Sequence, residues 1–118
     1  MTADLNLFAI AGAKARHAAA RQAVISRNVA NADTPGYRAR DIEPFDAAYA
    51  RTISAGGAGA KFSELEIDTP GTASPNGNTV SIEDQMLRAG AASRDHDAAV
   101  TIYSKAMSML RAAVGVGR

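Results

Sequence analysis

Apolar residues recur at helical spacing in two stretches of the chain, one towards each end, and the pattern breaks between them. Between residues 4 and 31, Phe8, Ala11, Ala15, Ala18, Ile25 and Val29 follow steps of three and four, with Gln22 as the one interruption and no proline. The spacing predicts an amphipathic helix over about residues 4–32, about 42 Å long at 1.5 Å per residue. Thr34-Pro35-Gly36 should end it sharply near Asp33, because proline turns the preceding residue away from the helical region and glycine allows a left-handed turn. In the second stretch Met86, Ala89, Ser93, His96, Val100, Tyr103, Met107, Leu110 and Val114 form a heptad seam, predicting a helix over about residues 81–114. Ser81 is its candidate N-cap, Glu83 and Asp84 suit the positive end of the helix dipole, and Gly115 and Gly117 stop it.

Residues 33–80 carry Pro44, Pro70, Pro75, the run Gly56-Gly57-Ala58-Gly59 and the cluster Ser74-Pro75-Asn76-Gly77-Asn78, which together predict an irregular middle. Two pieces stand out in it: a helical turn at Phe45–Arg51, and a strand-like piece in which Phe62, Leu65 and Ile67 flank Glu64 and Glu66. The expected fold is mainly α, an elongated helical hairpin or coiled coil of the N- and C-terminal helices in one domain, residues 1–118.

Composition changes this picture in one respect. Of the 55 hydrophobic residues, 27 are alanine, and the chain has three Phe, three Tyr and no Trp. At about 25 cal/mol per Å² such small faces gain little from burial within one chain, so burial against other chains is expected. The net charge of +1 hides an asymmetry: residues 14–40 hold six basic groups and one acid, residues 41–68 six acids and two bases. This suggests pairing of one end with the other end of a neighbour. No apolar run approaches the roughly 20 residues of a transmembrane segment, and no start resembles a cleaved signal.

Candidate chemistry is sparse. The chain has no cysteine, which excludes disulfides, a thiol nucleophile and thiolate metal sites. His17 and His96 are its two histidines, and Asp95-His96-Asp97 cannot converge on one metal from consecutive helical positions. The glycines at 56, 57 and 59 lack the Lys-Ser/Thr of a phosphate loop. No enzyme, cofactor or metal is expected. One alternative is a nucleic-acid or anionic-surface binding module using Lys14, Arg16, Arg21, Arg27, Arg38 and Arg40, although these scatter around the helix. Another is a small helical adaptor of finite stoichiometry.

The most specific string is Ser26-Arg27-Asn28-Val29-Ala30-Asn31-Ala32-Asp33-Thr34-Pro35-Gly36-Tyr37. Asn28 and Asn31 share a helix face and can bond backbone groups of the terminating turn or of a neighbour, with Gly36 at positive φ. The string resembles the N-terminal signature Asn-x-Ala-Asn-x-x-Thr-Pro-Gly-Tyr of the flagellar rod and hook axial proteins. Its extension Arg38-Ala39-Arg40-Asp41-Ile42, with Gly77-Asn78-Thr79-Val80-Ser81 before the second helix, is similar to the proximal-rod branch of that family. The likeness is weaker from about Arg51 to Pro75. It implies a structural subunit of the periplasmic rod of the flagellar basal body, exported by the flagellar type III apparatus without a cleaved signal peptide and assembled helically to transmit torque. Implied partners are copies of itself, other rod proteins, the membrane ring or export gate and a rod-adaptor protein, with no nucleic acid. The expected assembly residues are Asn28, Asn31, Thr34, Pro35, Gly36 and Tyr37 in the turn, and Met86, Val100, Tyr103, Met107, Leu110 and Val114 in the seam, where Tyr103, Met107 and Leu110 should be buried between helices.

Overall fold

The computed structural model describes residues 2–56, 66–69 and 71–115. In chain order these form α1 (Thr2–Ala30), β1 (Arg40–Ile42), α2 (Phe45–Gly56), β2 (Glu66–Asp68) and α3 (Ile82–Val114). Helices α1 and α3 pack along each other as an antiparallel hairpin, and the molecule measures 62 × 32 × 15 Å. A thickness of 15 Å holds one layer of helices, so each long helix keeps a broad side away from the other.

Alanine makes the contact between them. On α3 the buried positions are Gln85, Ala92, Ala99 and Ala106, a strict seven-residue row. On α1 they include Ala11, Ala18 and Ile25, a second such row, together with His17, Val24 and Asn28. Small side chains bring the two backbones close and are strong helix formers, which suits long helices that bury little. Phe8 and Tyr103 meet edge to face at 5.0 Å near the far end of the hairpin. Ser81 caps α3 as its side chain accepts from Asp84 N (3.2 Å), and Gly115 closes it in the left-handed conformation at φ 72°.

The middle segment is more regular than its composition suggests. Helix α2 runs twelve residues, well past the single turn expected at Phe45–Arg51. It buries Ala48 and Thr52, whose hydroxyl donates to Ala48 O (3.0 Å), and stacks Phe45 on Tyr49 at 5.6 Å. Strand β2 supplies only the Glu66–Asp68 part of the strand-like piece; Phe62, Glu64 and Leu65 lie outside the described residues, as does Gly57-Ala58-Gly59. It pairs antiparallel with β1, Arg40 opposite Asp68 and Ile42 opposite Glu66. Strand β1 lies in a stretch expected to be loop. It forms because β2 and the side chain of Asn28 satisfy its backbone from two sides.

Candidate assembly site

The turn that follows α1 is folded onto the segment that precedes α3, and almost every polar side chain they bury finds a hydrogen-bond partner. Asn28, in the last turn of α1, is 0 % exposed. Its Nδ2 donates to Arg40 O (2.7 Å) and to Gln85 Oε1 (3.0 Å), while its Oδ1 accepts from Arg40 N (3.2 Å) and the Tyr37 hydroxyl (3.1 Å). Both amide donors and both acceptor positions are used, which fixes the orientation of the amide. One side chain thereby ties α1, β1 and α3 together.

Asn31 works more locally. Its Nδ2 donates to Arg27 O (2.8 Å) and its Oδ1 accepts from the Thr34 hydroxyl (3.0 Å), closing the turn on itself. Asn78 joins the far strand of the link: its Nδ2 donates to Asn31 O (2.9 Å) and Thr34 O (2.7 Å), and its Oδ1 accepts from Val80 N (2.8 Å). Gly36 N donates to Asn76 O (2.9 Å), Thr79 N to Tyr37 O (3.0 Å), and Ala39 N to the Thr79 hydroxyl (2.7 Å). Gly36 and Gly77 stand at φ 74° and 87°, and a Cβ added at Gly77 would lie 3.4 Å from Gly36 Cα. Both glycines stand in the left-handed region, where a side chain is strained, and that conformation rather than lack of space favours glycine at each. Residues 28–40 and 76–85 thus form one clasp.

Charged groups reinforce it. Asp41 is buried and receives Arg21 through Nε (3.0 Å) and Nη2 (3.2 Å), Ile42 N (2.7 Å), and the guanidinium of Arg88. Burial alone would raise its pKa, but the Arg21 hydrogen bond, the Ile42 amide and Arg88 outweigh that and hold the carboxyl below its ordinary value. Arg88, bonded to Asp84 (2.7 Å) as well as Asp41, is held protonated by both, Asp84 first. On the surface Arg27 bonds Glu66 (2.6 Å), which lowers the Glu66 pKa, and Arg40 bonds Asp68 (3.0 Å). The basic and acidic blocks of the sequence therefore meet inside one chain. The chain reverses after α1 and lays residues 40–42 and 66–68 beside the helix they complement, so charge pairing expected with a neighbour is found within the chain.

The same pairing bears on other chemistry. A cleft of about 410 Å³ opens beside the clasp, lined by Lys14, His17, Arg21, Asp41, Phe45 and Arg88 among others. His17 donates to Glu43 O (2.6 Å) and meets the Phe45 ring at 5.6 Å, and Lys14 sits 5.4 Å from the centre of that ring. Asp41, charged and held by two arginines, is poorly suited to act as a base. Three of the six basic residues considered for nucleic acid, Arg21, Arg27 and Arg40, are occupied by carboxylates. Among the described residues no group of His, Asp and Glu could hold a metal, and no helix is long and apolar enough to cross a membrane.

The second group of expected residues lies along α3, and the structure shifts its seam. The α1–α3 contact uses Gln85, Ala92, Ala99 and Ala106 together with the partly covered Ala89, His96 and Leu110. Of the expected seam, the row Ala89–His96–Tyr103–Leu110 flanks that contact, whereas the row Met86–Ser93–Val100–Met107–Val114 is one position off it. Met86 is 68 % exposed, Val114 55 %, Val100 49 % and Tyr103 43 %, while Met107 and Leu110 are half-buried. Within the single chain Leu110 and Met107 are half-buried, and Tyr103, 43 % exposed, packs one edge on Phe8 of α1. The larger residues mark the seam most visibly in the sequence, but alanine permits the closer helix approach and takes the contact. Helix α3 thus has two adjoining seams, one filled by α1 and one facing outwards.

In the turn, Thr34, Pro35 and Gly36 are exposed and Tyr37 is half-buried. Sequence reasoning did not name Gln85, Asp41, Arg88 or Asn78 as site residues. Asp41 and Asn78 lie in the strings that carry the family resemblance and Gln85 heads a seven-residue row with three alanines, but their pairings, such as Asn78 with Thr34 across 44 positions and Asp41 with Arg88 across 47, are not registered by single-sequence periodicity.

Comparison with known proteins agrees with the geometry. Residues 10–38 match the family model described as flagella basal body rod protein, a span that takes in most of α1 and the whole turn with Asn28, Asn31 and Gly36. Over 108 residues the chain is 29 % identical to the flagellar basal body rod protein FlgB of Agrobacterium fabrum (strain C58 / ATCC 33970), covering 79 % of this chain and 81 % of that one. The chain is FlgB-like. The span of the likeness to FlgB exceeds the turn, so it includes regions on both sides of the clasp as well as the signature.

Proposed function

We propose that this FlgB-like chain is a structural subunit of the flagellar basal-body rod that assembles through the outward seam of α3. The observation that supports this most strongly is the mismatch between the two seams: the contact inside the chain is built mainly of alanine, while Met86, Val100 and Val114 face outwards. Apolar residues that recur along one side of a helix, on a molecule 15 Å thick, are suited to packing by another helix. A contact between unlike faces that does not close on itself propagates a helical filament, the geometry a rod needs to carry torque.

In this reading the clasp, including Asn28 and Asn31, sets the angle and register of the two helices, and exposed Thr34, Pro35 and Gly36 with Tyr37 present the turn to the next subunit. The neighbours are copies of this chain and other rod proteins, with the membrane ring, the export gate and a rod adaptor at the base. The place of action is the periplasmic rod, reached through the flagellar export apparatus. The role is mechanical and requires no catalysis or cofactor.

The test is a double substitution, Val100→Asp with Met107→Asp, in cells that lack the native chain. The expected result is normal accumulation and helicity of the purified protein with loss of rods and motility, since at least Val100 is exposed in the isolated chain. Wild-type motility in the double variant would overturn the assignment of this seam.

A further inference from the structure

One asparagine in the chain is followed by glycine, Asn76, and it lies in the clasp with its side chain exposed. An Asn-Gly pair is prone to cyclise, because glycine offers no side chain to shield its backbone nitrogen from the neighbouring carboxamide. Here the carboxamide is folded back along the chain: Asn76 Oδ1 accepts from Asn78 N (3.0 Å), an Asx-turn that spans Gly77 and polarises the side-chain carbonyl. Against this, Gly77 N donates to Ser74 O (2.8 Å), which keeps its lone pair within a planar, hydrogen-bonded amide, and Asn76 O is held by Gly36 N (2.9 Å). The local backbone is therefore restrained by contacts that belong to the clasp.

We propose that Asn76 is a site of spontaneous succinimide formation that the closed clasp restrains and an open clasp releases. In the reaction the Gly77 nitrogen bonds to Asn76 Cγ and loses its proton to solvent, the Cγ–Nδ2 bond breaks, and ammonia leaves. Water then opens either carbon–nitrogen bond of the imide, giving aspartate or isoaspartate. Isoaspartate routes the main chain through an extra methylene between Asn76 Cα and the Gly77 nitrogen that donates to Ser74 O (2.8 Å), and turns the Asn76 carbonyl held by Gly36 N (2.9 Å) into a free carboxylate. The closed arrangement cannot re-form around it, so each event would record an opening irreversibly.

The rate should follow the population of the open clasp. Purified full-length chain is incubated at mildly alkaline pH, and ammonia release and peptide mass spectrometry follow conversion at position 76, with and without urea. The expected result is slow conversion in the folded chain, faster conversion in urea, and a rise of about ten-fold without urea in Asn78→Ala, which removes two bonds to the turn. Gly36→Ala, a milder way to loosen the clasp at φ 74°, should fall between wild type and Asn78→Ala. Gly77→Ala in urea should convert more slowly than wild type in urea, since the added methyl shields the attacking nitrogen. Absence of conversion at Asn76 in urea, equal rates in the folded and urea-unfolded chain, or an Asn78→Ala rate equal to wild type would each overturn the proposal.

Discussion

The two ends of the hairpin are held by different physics. At the clasp, polar side chains are buried and almost fully paired: Asn28 makes four hydrogen bonds, Asn78 three, and Asp41 holds two arginines. Along the shaft, α1 and α3 meet through alanines, and much of the larger apolar surface of α3 faces outwards. Directional bonds with satisfied partners specify one geometry, whereas a smooth alanine contact allows sliding and gains little from burial. The clasp thus gives the hairpin its register, and the shaft leaves room for stabilisation by whatever packs on it. One buried group departs from this division: Gln85 Nε2 has no partner among the described residues, although Gln85 Oε1 accepts from Asn28.

If the clasp sets the geometry, the largest loss should come from Asn28→Ala. It strands the whole Gln85 amide in a buried setting and the Tyr37 hydroxyl and Arg40 N in a half-buried one, a cost of about 3–5 kcal/mol in urea unfolding. A loss under about 1 kcal/mol would mean that the clasp is not what holds the helix ends together. Asn31→Ala should cost less, because its bonds to Arg27 O and Thr34 lie in an exposed turn.

Asp41→Asn should come next, at about 1–3 kcal/mol near neutral pH, moderated because Arg21 and Arg88 keep part of their surface in water. Its pH signature is specific. The folded pKa of Asp41 lies below the ordinary carboxylate value, so its contribution is present in full above that value and is lost as the pH falls through the lowered one. Wild type should therefore lose stability on acidification through and below about pH 4 more steeply than Asp41→Asn, as followed by thermal unfolding across pH. Parallel acid limbs in the two proteins would show that Asp41 is not a charged tie. A smaller effect is expected from Gly36→Ala: its φ of 74° costs a side chain about 1 kcal/mol, and its Cβ would meet nothing within 4 Å.

The same contrast governs what the sequence makes legible. The long helices are readable because their periodicity is local, and so are Ser81 and Gly115 at the ends of α3, since capping depends on residues a few positions apart. The positive φ of Gly36 follows from Thr-Pro-Gly after a helix. The clasp partners are not readable, because Asn28 meets Gln85 across 57 positions and Asp41 meets Arg88 across 47. Strand β1 is hidden for the same reason: Arg40, Asp41 and Ile42 become a strand only when β2 and Asn28 bond their backbone. On α3 the period is visible, but the choice between adjacent rows turns on whether alanine or the larger residues face α1.

The claim that the outward row of α3 is the assembly surface is open to direct measurement, since the chain has no cysteine and a single Val100→Cys introduces a unique thiol. At this exposed position the substitution should change the stability of the isolated chain by less than about 0.5 kcal/mol. The decisive measurement is the rate of thiol labelling at position 100 in the purified subunit and in isolated basal bodies that contain it. Rapid labelling in the free subunit and strong protection in the assembled rod are predicted; equally rapid labelling in both would contradict the account.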